Sequence, residues 1–227
     1  MRIVLIGATG MVGQGVLRAC LAASDVTEIL VLGRRPLPAG YDDPRLKVVT
    51  VPDLAAFTVD DPAFRHVDAC FFCAGVSSFG MAEAAYRAVT YDLTLAVAQT
   101  LLHASPGMAM VYVSGAGADS TEHGRSMWAR VRGQTENALR RLPFGRVAIF
   151  RPGAILTEDG VESRTAVYRR LYVVLGPLLR LARWLSPTSV LTTRIIGDAM
   201  LNVVRHGVPH AILTPADIHR LGNANTA

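Results

Sequence analysis

Apolar residues fall along this chain in short, nearly continuous blocks separated by longer amphipathic stretches. The blocks RIVLI (2–6), EILVLG (28–33), LKVVTV (46–51), VDACFFC (67–73), MAMVYVS (108–114) and RVAIF (146–150) have the length of strands and are too uniformly apolar for a half-exposed sheet. Strands of that kind belong to a parallel sheet covered on both faces. Between them the spacing predicts helices over about 11–23, 81–103 and 125–142, so the chain reads as a βαβ series and its fold class as α/β, a Rossmann-type doubly wound parallel sheet. After Arg151-Pro152-Gly153 the pattern changes to a loop, a basic apolar segment, a helix near 193–205 and the short run HAILT (210–214). One domain over 1–227 is expected, with 152–227 contributing a small substrate-side lobe.

The turn between the first strand and the first helix reads GATGMVG and carries Gly7, Gly10 and Gly13. At that position each glycine has a task. The first permits a tight turn, the second lets backbone approach a pyrophosphate, and the third lets helix and strand pack closely, while unpaired N–H groups at the helix start attract the anion. Thr9, Met11 and Val12 complete the candidate loop. In sites for NAD, an acid at the end of the second strand binds the ribose 2′-hydroxyl. This chain has VLGRRP there, and Arg34 and Arg35 suit a 2′-phosphate through paired charge-assisted hydrogen bonds. NADP is therefore the expected cofactor and NAD the less favoured one.

GATGMVG, Arg34-Arg35, Pro52-Asp53-Leu54, Cys73-Ala74-Gly75, YVSGAG and RPG follow one another in the order seen in the atypical short-chain dehydrogenases/reductases. Over nearly its whole length the chain resembles that family, above all the small NAD(P)H-binding branch with the NmrA-like regulators and the Tat-interacting oxidoreductase-like proteins. The resemblance implies that Asp53, with Leu54, lies near the adenine. It also implies Ala74 and Gly75 near the cofactor ribose and the loop after Phe150 near the nicotinamide. Further, it implies a catalytic Ser at Ser114 and, four residues apart on a helix, a Tyr and a Lys that exchange the proton and bind the ribose.

The last two positions are Trp128 and Arg132. An indole N–H has no acidity near neutral pH and cannot replace a phenol as proton donor, whereas Arg132 keeps the positive charge and the ribose hydrogen bonds. Ser114 and Arg132 remain the candidate catalytic residues. Tyr112, His123 and Tyr86 are the other donors in the region, and none has the family's spacing.

Composition narrows the rest. Of 23 basic residues, six arginines (Arg164, Arg169, Arg170, Arg180, Arg183 and Arg194) fall between Ser163 and Gly197, where there is no acid, and without them 17 basic residues face 18 acidic ones. No general polyanion surface remains, so nucleic acid is not an expected partner. The basic apolar stretch 164–184 reads as a pocket lid or packing segment, a homo-oligomer surface, or attachment to an anionic membrane surface, in that order of preference. Cys20, Cys70 and Cys73 read as structural thiols, since the last two are three apart on a strand and point to opposite faces. No metal site is assigned. Six residues before the first glycine are too few for a secretory leader, and the location expected is cytoplasmic. Two functions stay open: an NADP(H)-dependent oxidoreductase or epimerase-like enzyme acting on a small carbonyl compound, and a non-catalytic NADP(H)-binding redox sensor or regulator.

Overall fold

The computed structural model describes residues 1–59, 62–157, 188 and 190–224. In chain order its elements are β1 (Arg2–Ile6), α1 (Met11–Ala22), β2 (Glu28–Gly33), β3 (Leu46–Thr50), β4 (Ala69–Phe72), α2 (Glu83–Arg87), α3 (Leu93–Ala104), β5 (Ala109–Val113), α4 (Met127–Arg141), β6 (Arg146–Phe150), β7 (Ala154–Leu156), β8 (Val190–Thr192), α5 (Thr193–His206), β9 (Ile212–Leu213) and α6 (Pro215–Gly222). A parallel sheet of seven strands runs in the order β3-β2-β1-β4-β5-β6-β9. The chain moves outward from β1 to β3 and then returns to place β4 on the other side of β1. The loops after β1 and β4 therefore diverge and open a crevice at the carboxyl edge of the sheet, where open α/β sheets bind ligands.

Strand periodicity of two sorts the apolar blocks onto two faces. Ile3, Leu5, Ile29, Val31, Phe71, Val111 and Phe150 pack under α1 and α5 with Val16, Leu17, Ile196 and Met200. Val4, Ile6, Leu30, Leu32, Phe72, Tyr112 and Ile149 pack under α3 and α4 with Val97, Leu101 and Leu139. Cys70 belongs to the second face while Cys73 packs against the first, as the alternation requires. Burial pushes the Cys20 thiol up to about 12 and raises Cys70 and Cys73 as well, so none is poised as a thiolate.

Several elements differ from the sequence pattern. The helix expected over 81–103 begins at Glu83 and is broken by a π-helical turn, Ala88–Asp92. Single π-helical turns are rare insertions within α-helices, and the apolar pattern reads as one continuous helix. α6 was not expected, although Thr214-Pro215-Ala216-Asp217 carries its start: Thr214 and Asp217 form a reciprocal capping box with Pro215 at the first helical position. β7 and β8 form a separate two-stranded parallel pair, and β9 joins the main sheet beside β6. The basic apolar stretch 164–184 lies outside the described residues.

α5 crosses α1 at close range because both helices carry glycine at the crossing. A Cβ on Gly15 would lie 2.5 Å from Thr193 Cβ and 2.7 Å from the Thr193 carbonyl oxygen, and one on Gly197 would lie 2.6 Å from Ala19 Cβ. Gly15→Val should force the helices apart and cost about 1–3 kcal/mol by overpacking. Thermal unfolding followed by circular dichroism should show a melting temperature several degrees lower, and an unchanged value would contradict this helix contact.

Candidate functional site

Gly7 leaves β1 with φ of +85°, and a Cβ there would stand 2.5 Å from the backbone nitrogen of Ala74. The loops after β1 and β4 thus meet backbone to backbone, which a side chain at Gly7 would prevent. The Gly7 carbonyl accepts the Gly10 N–H at 2.9 Å. It also lies where a Cβ on Gly13 would come within 2.0 Å. Gly10 is different: it has φ of −80°, and a Cβ there would meet only the Gly7 oxygen, at 3.3 Å. Gly7 and Gly13 are required by the protein's own packing, while Gly10 faces open space. Gly10 caps α1 without any side-chain acceptor, and the first turn holds no acid, so the N–H groups of Met11, Val12 and Gly13 keep their affinity for an anion. Thr9 contributes its carbonyl to the Gln14 side chain at 3.2 Å.

At the ends of β2 and β3, Arg34 and Arg35 are exposed, and neither forms an ion pair with a described residue. The Gly33 carbonyl accepts the Val51 N–H at 2.9 Å, which ties the two strand ends together. Asp53 is exposed and accepts the Ala55 N–H at 2.9 Å, folding its own turn. Leu54 is buried in the core under α3 and α4.

Arg132 is 8% exposed and sits between α4 and the sheet. Its Nε donates to the Tyr86 hydroxyl at 3.0 Å, and its Nη1 donates to the Tyr112 hydroxyl at 3.2 Å and the Val113 carbonyl at 3.0 Å. Nη2 lies under the next loop, 3.3 Å from where a Cβ on Gly75 would be. Burial pushes the Tyr112 phenol up, with Arg132 pulling the other way, so Tyr112 keeps its proton at neutral pH.

Ser114 follows β5 at the carboxyl edge, and its hydroxyl donates to Glu136 Oε1. Glu136 is fully buried and held by Arg151, whose Nη2 reaches Oε2 at 2.5 Å and whose Nε lies 3.1 Å from both oxygens. Arg151 Nη2 also donates to Ser120 Oγ at 2.6 Å. An ionised carboxylate only accepts, so the Ser114 proton is committed to Glu136 and not presented to the crevice. Trp128 stands over the loop after β5: a Cβ on Gly115 would be 3.1 Å from its ring, and one on Gly117 3.6 Å. His123 is exposed, and Tyr86 is fully buried with its oxygen on Arg132.

The fold brings together Gly7 with Ala74, Gly75 with Arg132, and the loop after Ser114 with Trp128. Asp53 stays apart on the rim of β3. Glu136 and Arg151 are the members that sequence reasoning did not assign. The available signal was an acid four residues after Arg132 on the same helix and an arginine directly after β6, but pairing them needs the sheet order.

No family model matches the chain. It is 30% identical over 209 residues to protein fmp52, mitochondrial, of Emericella nidulans, covering 88% of this chain and 85% of that one. It is 28% identical over 208 residues to protein HTATIP2 of Rattus norvegicus, covering 89% and 81%. Among solved structures it is similar to MoeE5 in complex with UDP-glucose and NAD (TM-score 0.65, 12% identity, 100% and 82% covered). The UDP-glucuronic acid 4-epimerase from Bacillus cereus in complex with NAD gives a TM-score of 0.64 at 11% identity, with 100% and 84% covered. At such identities these structures share the fold alone. The cytoplasmic location expected from the sequence is corrected by the fmp52 relatives of Emericella nidulans, Aspergillus clavatus and Eremothecium gossypii, which are named as mitochondrial. Lack of a secretory apolar segment bears on export alone and is silent about organelles. Among the described residues no helix is long and apolar enough to cross a membrane.

Glu136→Gln would leave Arg151 and Ser114 around a buried, neutral amide. Breaking a buried pair costs about 3 kcal/mol or more. Urea unfolding should show a clearly lower midpoint with an unchanged slope, and a wild-type midpoint would contradict a structural Glu136–Arg151 pair.

Proposed function

Because this chain belongs to the atypical short-chain dehydrogenases/reductases, an NAD(P)-binding family of oxidoreductases and epimerases, we propose that its crevice binds NADP(H) and serves an oxidoreductase acting on a small carbonyl compound. The observation that carries the reading is the glycine loop: Gly10 leaves open space over an uncapped helix start, and Arg34 and Arg35, without an ion pair among the described residues, stand at the end of β2. The residues fit the group. Backbone N–H groups from Met11 to Gly13 would hold the pyrophosphate, Arg34 and Arg35 the 2′-phosphate, Asp53 the adenine side, and Ala74 and Gly75 the ribose. When bound, the nicotinamide supplies or accepts a hydride.

The chain's own residues set how far that chemistry can run. The Ser114 hydroxyl donates its hydrogen bond to Glu136, Trp128 holds an indole where a phenol would deliver a proton, and the hydroxyls of Tyr86 and Tyr112 accept from Arg132. Carbonyl reduction should be slow without a positioned donor. The same features favour a second reading, a redox sensor that binds NADP(H) without turning it over.

Fluorescence titration should show NADPH binding about tenfold or more tighter than NADH, the worth of one charge-assisted hydrogen bond. Arg34→Ala with Arg35→Ala should bring the two affinities together, and Gly10→Ala should weaken both while leaving the circular dichroism unchanged. Equal affinities in the unmutated protein would defeat the NADP reading. On a carbonyl panel, Trp128→Tyr places a phenol four residues before the Arg132 cation, and turnover should rise by roughly 10²-fold if a missing donor is the limit. Robust native turnover, indifferent to Trp128, would show that another group carries the proton.

A further inference from the structure

A guanidinium removed from water requires hydrogen-bond acceptors and a counter-charge, and its desolvation goes uncompensated when the counter-charge is missing. Arg132 has the first without the second. Its Nε and Nη1 donate to two neutral phenols and one carbonyl, and no carboxylate among the described residues pairs with it. Glu136, one turn further along α4, is already engaged by Arg151 and Ser114. Nη2 has no hydrogen-bond partner among the described residues, and between it and solvent stands the exposed Gly75, where a Cβ would lie 3.3 Å away. Gly75 follows Ala74, whose backbone touches Gly7, so this opening lies in the crevice itself.

We propose that Arg132 Nη2 beneath Gly75 is an oxyanion subsite, and that the ligand completing this crevice presents a carboxylate or phosphate oxygen to it. The proposal deepens the preceding reading by naming the ligand's chemical class, and it rests on the crevice being the ligand site. A ribose hydroxyl would satisfy the hydrogen bond and leave the charge unmatched. An oxyanion satisfies both, and a planar carboxylate suits one arm of a planar guanidinium whose other donors are fixed. Trp128, across the loop after β5, would give an apolar wall beside that anion. The oxyanion belongs to the substrate, since the cofactor's phosphates are assigned to the glycine loop and to Arg34 and Arg35.

Oxalate and inorganic phosphate are the probes, titrated by isothermal calorimetry into the full chain, first alone and then saturated with NADPH. The native protein should bind one equivalent of at least one of these anions. Arg132→Gln should weaken that binding tenfold or more, and so should Gly75→Ala, which keeps the charge and narrows the opening. Arg220→Gln, removing an exposed arginine, should bind as the native protein does and so excludes a response to overall charge. Anion binding that persists with NADPH supports a substrate oxyanion, and competition by NADPH would show that the cofactor itself occupies Arg132 and overturn the proposal. Should Arg132→Gln fail to fold, Gly75→Ala decides alone. Failure of both anions to bind, or native-like binding by Gly75→Ala, would overturn the proposal. If oxalate binds while NADPH does not, the cofactor reading fails and the subsite stands.

Discussion

Around Gly7 three stretches of backbone come closer than any side chain would allow. The loop after β4 presses Ala74 against its α-carbon, the start of α1 presses Gly13 against its carbonyl, and Gly10 donates back to the same oxygen. With φ of +85° the chain turns at once from strand to helix, so the first turn of α1 points its unpaired N–H groups into the gap between diverging loops. Shifting this contact by an ångström would move the helix start, the Ala74-Gly75 segment and the cover over Arg132 together. The crevice exists where it does because the strand order reverses there, and it has its shape because glycine stands at these positions.

Charge is distributed around that crevice in an uneven way. Glu136 and Arg151 neutralise one another below Ser114, which fixes the loop after β5 and withdraws the serine proton. Arg132, on the same helix, keeps its charge in a setting of phenols and a carbonyl. On the proposed reading Arg132 supplies the cation that the family's lysine would, and the indole of Trp128 stands where a phenol would deliver a proton. On that reading the cofactor contacts are kept and the proton path is not, so the enzyme and sensor readings differ in turnover and agree on the cofactor.

What could be read from the residues alone follows how local each feature is. The six apolar blocks and the glycine turn depend on neighbours within a few residues, and each became a strand or a strand-to-helix turn in place. Arg34 and Arg35 could be placed because a strand end is itself a local feature. The partners of Ser114 and Arg132 could not, since Glu136 is 22 residues from Ser114 and Tyr86 is 46 from Arg132, and only the order of strands brings them together. Leu54 shows the converse limit: it has the sequence position of a site residue, yet packs its side chain into the core. The π-helical turn at Ala88–Asp92 was missed because such turns are rare and the stretch reads as one continuous α-helix.

The most direct measurement is a crystal structure with NADPH. The pyrophosphate should lie over the N–H groups of Met11 to Gly13, the 2′-phosphate within hydrogen-bond reach of Arg34 or Arg35, and the nicotinamide between the Ala74-Gly75 segment and Trp128. Electron density for the cofactor outside this crevice, or a 2′-phosphate turned away from both arginines, would contradict the assignment of the glycine loop and of the NADP preference respectively.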